Sequence, residues 1–277
     1  DSISAQHYYQ KAIAQDSLIV DAAEPPADVY FEERNWEAAA PLLEAILRNA
    51  DSRRSPAWRH RRFLQFAQVT DRLGRAGIAL RAYRQAYELN PNDVATLTGF
   101  AAILVDAEDW DLALKILSIL IEKNGRTLDS KALVTALFLR GVCLEAMGDI
   151  PRSMVAFEQV VSQDPRHRDS LRTLTEYFDE QKNWPKYVQY APALIEAETE
   201  PLVRFRRFSR LGEVWANELN RPDLAMQAYR GAIDIQPDSL AVMRRLLDLY
   251  TKERKFPLAV KVLERLLTFE ESPKRQA

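Results

Sequence analysis

The chain has 277 residues, 28% of them charged, and a formal net charge of −2. That balance excludes a global field that would draw in nucleic acid or an anionic membrane, and no run approaches the roughly 18 consecutive apolar residues of a membrane-spanning helix. Cys143 stands alone, which excludes an intrachain disulfide framework and points to a reducing, cytoplasmic setting.

The elements are helices, and they recur. Taking the small residue on the packed face of each second helix as a marker gives Ala5, Ala39, Ala79, Ala113, Ser153, Tyr187, Ala225 and Ala259. The intervals are 34, 40, 34, 40, 34, 38 and 34 residues, and periods of this size signify repeat architectures. Four residues after the marker stands a large apolar side chain in seven of the eight: Tyr9, Leu43, Tyr83, Leu117, Phe157, Tyr229 and Leu263. Three further on comes another apolar residue: Ala12, Ile46, Ala86, Leu120, Val160, Leu194, Ala232 or Leu266. Offsets of four and three fall on one helical face.

In chain order, residues 1–16 predict the second helix of a hairpin whose first helix is absent. Hairpins follow at about 21–50, 57–90, 93–124, 131–164, 168–198, 202–236 and 239–271. Each first helix has its own apolar face, as in Leu97, Phe100, Ala101 and Leu104, or Phe208, Leu211, Gly212 and Trp215. Asn90-Pro91, Asp164-Pro165 and Gln236-Pro237 stop the second helices, because proline disfavours a helical residue before it. The extra residues of the longer intervals fall between hairpins, at Asn49–Pro56, Asn124–Ser130 and Glu196–Pro201, and predict longer loops. Pro25-Pro26 predicts a first helix that is short or starts late. A bulky Tyr187 at a marker position, with Pro192 inside the same helix, predicts a kink or break and a loosening of the array near residues 185–200. Leu263, Leu266, Leu267 and Phe269 have no polar covering helix after them, although terminal repeats need a polar outer face. The expectation is a segment of a longer array, or an end that pairs with another chain.

The segment Phe208, Leu211-Gly212, Trp215, Ala225, Tyr229, Ala232 and Pro237, with one extra residue in its turn, resembles the tetratricopeptide repeat family. The resemblance runs over almost the whole chain. It implies an all-α, right-handed superhelical solenoid of about seven and a half antiparallel hairpins, in which first helices line a concave groove used for binding.

Little in the sequence suggests catalysis. His7, His60 and His167 lack zinc-site spacing relative to one another and to Cys143. Cys143, between Val142 and Leu144, reads as a buried inert thiol. Acidic residues alternate with Arg along helical faces, which is the pattern of solvated surface. No enzyme activity, metal or cofactor is expected.

The helical period fixes which first-helix residues face inward. In the central hairpins these are Thr98, Ala102 and Val105, then Phe138, Val142 and Glu145, an apolar set suited to a partner's side chain or helix; Phe138 could equally pack on the neighbouring repeat. The later hairpins offer Arg172, Glu176 and Asp179, then Arg206, Arg210 and Glu213, then Arg244, Arg245 and Asp248. Arginine forks can hold a carboxylate or phosphate, but these residues could also neutralise one another as a ladder across adjacent helices. Related domains that grip a carboxy-terminal tail want Asn where Glu176 falls. The basic run from Arg53 to Arg62 includes Trp58, yet reads as a solvated loop with Trp58 tucked against the preceding hairpin rather than as a nucleic-acid site.

The expectation is a non-catalytic protein–protein interaction scaffold holding a peptide or partner protein in its groove. Thr98, Ala102, Phe138 and Val142 would make apolar contact, and Arg172, Arg206, Arg210 and Arg244 would meet acidic groups. The partner would carry an apolar anchor and an acidic flank; neither membrane nor nucleic acid is expected. The alternative is a structural spacer that self-associates through its terminal helices.

Overall fold

The computed structural model describes residues 19–51 and 54–271. The predicted helix at 1–16 with Ala5, Tyr9 and Ala12, as well as His7 and Arg53, lies outside them. Among the described residues there are fourteen α-helices and no strand. Their contacts divide the chain into two compact units, one ending at Ala156 and one beginning at Phe157.

In the first unit α1 (Ile19–Glu32) pairs with α2 (Trp36–Asn49), α3 (Pro56–Arg72) with α4 (Ala76–Leu89), and α5 (Val94–Asp106) with α6 (Trp110–Asn124). Next come α7 (Ser130–Ala146) and α8 (Ile150–Gln163), the latter running across the division. In the second unit α9 (Arg168–Glu180) pairs with α10 (Trp184–Ala197), and α11 (Pro201–Glu213) with α12 (Pro222–Ile235). Finally α13 (Leu240–Lys252) pairs with α14 (Phe256–Glu271). Each hairpin rests on the one before it: α3 on α2, α5 on α4 and α7 on α6 in the first unit, α11 on α10 and α13 on α12 in the second.

One turn geometry recurs. The amide entering the second helix bonds back five residues, as in Asn35 to Tyr30, Arg75 to Thr70, Asp109 to Leu104, Asp149 to Leu144, Asn183 to Phe178 and Lys255 to Tyr250, at 2.8 or 2.9 Å. This closure needs a left-handed residue just before that amide. Gly74 and Gly148 supply it without strain, while Arg34, Glu108, Lys182, Asn220 and Arg254 adopt it at φ between 51° and 58°. Asn35, Asp109 and Asn183 then cap the second helix by accepting a bond from its first turn. The α11–α12 turn carries one more residue, and a π-helical turn at Val214–Glu218 absorbs it. There the closing bond runs from Arg221 to Trp215, six residues back.

Small residues let the helices of a hairpin approach, and large ones fill the next layer. Ala39, Ala79, Ala113, Ser153 and Ala225 are fully covered, as are Leu43, Leu117, Phe157 and Tyr229. Ser153 satisfies its hydroxyl on the Gly141 carbonyl at 2.9 Å. At Gly212 a Cβ would lie 2.6 Å from the Tyr229 ring, so that pair of helices packs through the missing side chain.

Three expectations about proline and bulk are corrected. The helix with Pro25 and Pro26 is neither short nor late: it runs from Ile19 to Glu32 with both prolines inside. The carbonyls they deprive of donors belong to the exposed residues Asp21 and Ala22, where water can serve them. Similarly, α10 is a single helix from Trp184 to Ala197 that includes the exposed Pro192, so no break occurs there. Its bulky Tyr187 is buried because large and small exchange places: the residue four positions on is Ala191, also buried.

Candidate functional site

In the first unit a recess of about 680 Å³ opens between the α1–α2 turn, α3 and α5. Phe31, Arg34 and Trp36 form one wall, Gln68, Asp71 and Arg72 a second, and Thr98, Gly99 and Ala102 a third, with Tyr83 beneath. Two of the predicted inward residues, Thr98 and Ala102, are thus brought together. The Thr98 hydroxyl is spent on the Val94 carbonyl at 2.8 Å, so it offers the recess little more than a methyl group. Phe138 and Val142, half-buried on α7, are not among this lining.

In the second unit a smaller recess of about 260 Å³ lies between α9, α10 and α11. It is lined by Thr175, Glu176 and Asp179 of α9, Tyr187 of α10, and Val203, Arg206, Arg207 and Arg210 of α11. The arginines differ in what they already hold. Arg210 donates to Asp179 at 2.7 Å and to Glu213 at 3.3 Å, and Glu213 is 3.1 Å from Arg245 on α13. That run is the ladder of mutually neutralising charges, and the hydrogen bond that Arg210 donates to Asp179 holds its guanidinium more firmly charged. Arg207 reaches Glu198 and Glu176 only at 3.7 and 3.8 Å. Arg206 has no acidic group within salt-bridge distance among the described residues, and it is exposed to the recess.

Beneath the arginines lie unspent donors. The Thr175 hydroxyl and the Arg207 Nε are both buried without a hydrogen-bond partner. Other helical threonines (Thr70, Thr98, Thr135 and Thr251) bond back to a carbonyl of their own helix. Thr175 does not, although the residue is only 4% exposed. Unsatisfied buried polar atoms cost about 1–3 kcal/mol each and are rare. Their signal in the sequence is faint: Leu174-Thr175 stands where the next hairpin has Leu211-Gly212, a hydroxyl in place of a glycine.

Of the remaining predicted residues, Arg172 is exposed and 3.2 Å from Asp169 of its own helix, and Arg244 is exposed on α13. The basic run that leads into the first turns of α3 is held by acids of α1. Arg54 pairs with Asp21, while Arg62, 3% exposed, meets Glu24 at 3.0 Å and Asp28 at 3.1 Å. Trp58 donates to Glu24 at 2.9 Å, against the preceding hairpin. His60 contacts Thr96 at 2.9 Å, and His167 caps α9 by accepting from Ser170. Burial pushes the Cys143 thiol up to about 11, away from reactivity. Among the described residues no helix is long and apolar enough to cross a membrane.

These features define a helical-repeat protein, and within that class the chain resembles the tetratricopeptide repeat family in sequence and fold. The family's sequence profile matches residues 135–167. The Hsp70-Hsp90 organizing protein of Triticum aestivum is 25% identical over 195 residues, covering 68% of this chain and 31% of its own length. This chain therefore spans about a third of that relative. Among solved structures, MamA from Desulfovibrio magneticus RS-1 superposes with a TM-score of 0.52 at 16% identity, over 66% of this chain and 96% of its own. PilF of Pseudomonas aeruginosa does so with a TM-score of 0.51 at 14% identity, over 88% and 99%.

Proposed function

We propose that the chain is a non-catalytic protein–protein interaction scaffold that binds a peptide segment of a partner on the inner faces of its first helices. An acidic side chain of that peptide enters the recess between α9 and α11. The observation that carries this reading is the pair of groups there without a partner among the described residues, the Thr175 hydroxyl and the guanidinium of Arg206, beside an Arg207 that meets its acids only beyond hydrogen-bond distance. A buried hydroxyl free to donate and a guanidinium without an acidic partner, on the same recess, fit an anionic acceptor, and a guanidinium fork suits a carboxylate. Its volume suits one side chain rather than a free ligand of drug size. Glu176 and Asp179 on the rim favour a single negative charge over a dianion. In the first unit, the recess beside Thr98 and Ala102 is large enough for an apolar anchor. Arg172, Arg244, Phe138 and Val142 would contribute only to the surrounding contact surface, and Arg210 would hold the wall in place through its ladder.

A short acetylated and amidated peptide with one central Glu, titrated against its Gln counterpart, tests this. The Glu peptide is expected to shift the amide resonances of Thr175, Arg206 and Arg207, and the Gln peptide to leave them in place. Equal shifts from both, or none from either, would remove the acidic-side-chain reading.

A further inference from the structure

Beyond any peptide in the recesses, we propose that α14 docks antiparallel on α14 of a second copy of this chain. The contact is made by Phe256, Val260, Leu263 and Leu267. These four are 58, 51, 45 and 49% exposed and, at spacings of four, three and four, form one stripe along the helix. Their counterparts in earlier hairpins are better covered, those of Phe256 and Leu267 (such as Trp36 and Trp110, or Tyr87 and Ile121) being half-buried. The position of Leu263 is held by Leu43, Tyr83, Leu117, Phe157 and Tyr229, none above 2% exposed, and that of Val260 by Ala40, Met154 and Met226, none above 5%, and by the half-buried Leu80, Leu114 and Val188. Within each unit the cover is a further α-helix, such as α3 on α2 or α13 on α12. The bare stripe is thus the continuation of an interface that this fold closes with a helix. Contiguous exposed apolar surface of this kind marks interaction sites.

Two features make a second copy the fitting occupant. The spacing four, three, four reads the same from either end. An antiparallel pair therefore sets Phe256 opposite Leu267 of the second copy and Val260 opposite its Leu263, leaving no apolar residue unmatched. The flanking charges are self-complementary as well. Lys261 and Glu264, both exposed, come within about one turn of each other's counterparts in that register, giving two symmetric ion pairs.

Sedimentation of the 277-residue chain over the micromolar range tests the proposal. The expected result is a mass rising from monomer to dimer, with Leu263→Lys weakening the dimer by about tenfold or more while melting at a dilution where the wild type is monomeric is unchanged, since Leu263 is exposed. Register is read separately. On a Cys143→Ala background, Val260→Cys mixed with Leu263→Cys should oxidise to a mixed disulfide dimer faster than either variant alone. A monomer at every concentration would overturn the proposal. So would a dimer insensitive to Leu263→Lys, or Val260→Cys crosslinking fastest to itself.

Discussion

Gly99 lies against Tyr83 so closely that a Cβ on Gly99 would come within 2.4 Å of the phenol ring. The missing side chain on α5 is what lets Tyr83 of α4 slide under the first-unit recess, where it forms the floor between Thr98 and Ala102. Tyr83 is 2% exposed and cannot retreat without displacing Ala79 and Ala86 beside it. Gly99→Ala is therefore expected to cost about 1–3 kcal/mol through overpacking, despite alanine's better helix propensity. Urea denaturation of the variant measures this directly, and an unchanged or raised midpoint would show that the ring has room to move.

The left-handed turn residues give the opposite kind of effect. Glu108 sits at φ 58° with its side chain exposed. An L-residue there pays roughly 1 kcal/mol that glycine does not, partly offset by glycine's larger unfolded-state entropy. Glu108→Gly should stabilise the chain by a few tenths to about 1 kcal/mol, read as a raised melting temperature. Gly148→Ala, at φ 78°, should lower it.

Acid should loosen the protein through two carboxylates. Glu198, its side chain 1% exposed, is pushed up by burial, but the amides of Glu200 and Thr199 and the Arg168 guanidinium outweigh this and hold it below its ordinary value. Burial likewise raises Asp28, and the hydrogen bonds from Arg62 and Gln65 more than reverse it. A carboxylate with a lowered folded pKa adds stability that is complete above its unfolded value, near 4, and lost as pH falls through the folded value. The melting temperature should be flat near neutrality and fall below about pH 4. Glu198→Gln should shrink that fall and cost about 1–2 kcal/mol at pH 7, the low end for charged hydrogen bonds because its partner Arg168 is half exposed to solvent. An acid slope identical to wild type would separate Glu198 from the effect.

Thr175→Val separates binding from folding. The hydroxyl has no partner to lose, so the isosteric methyl should leave stability unchanged or raise it by about 1 kcal/mol. Affinity for an acidic peptide should nevertheless fall severalfold. Loss of stability would mean that Thr175 is satisfied by water in the free protein.

Much of the fold was legible because it rests on local, repeated signals. The 34- and 40-residue spacing of Ala39, Ala79 and Ala113, continued by Ser153 and Ala225, places a small residue at a helix contact, and all five are buried. Proline misled, because its penalty depends on where the orphaned carbonyl points: Pro25 and Pro26 release theirs at the exposed Asp21 and Ala22, and Pro192 is itself exposed. The helix faces that carry Thr98 and Ala102 into one recess lining and Arg206 into another are those the 3.6-residue period marks out. Which arginine is already occupied it does not mark, since Arg210 meets Asp179 across 31 residues of sequence. Thr175 escaped notice for a similar reason. A threonine on a packed helix face looks like any other until its usual carbonyl bond proves absent.

The acidic-peptide claim is tested most directly by selecting a displayed random-peptide library on the wild type and on Arg206→Glu in parallel. The wild type is predicted to enrich peptides with an acidic residue beside an apolar one, and Arg206→Glu to lose them and enrich basic residues at the acidic position. Enrichment of the same peptides by both proteins would contradict the account, as would no enrichment by either.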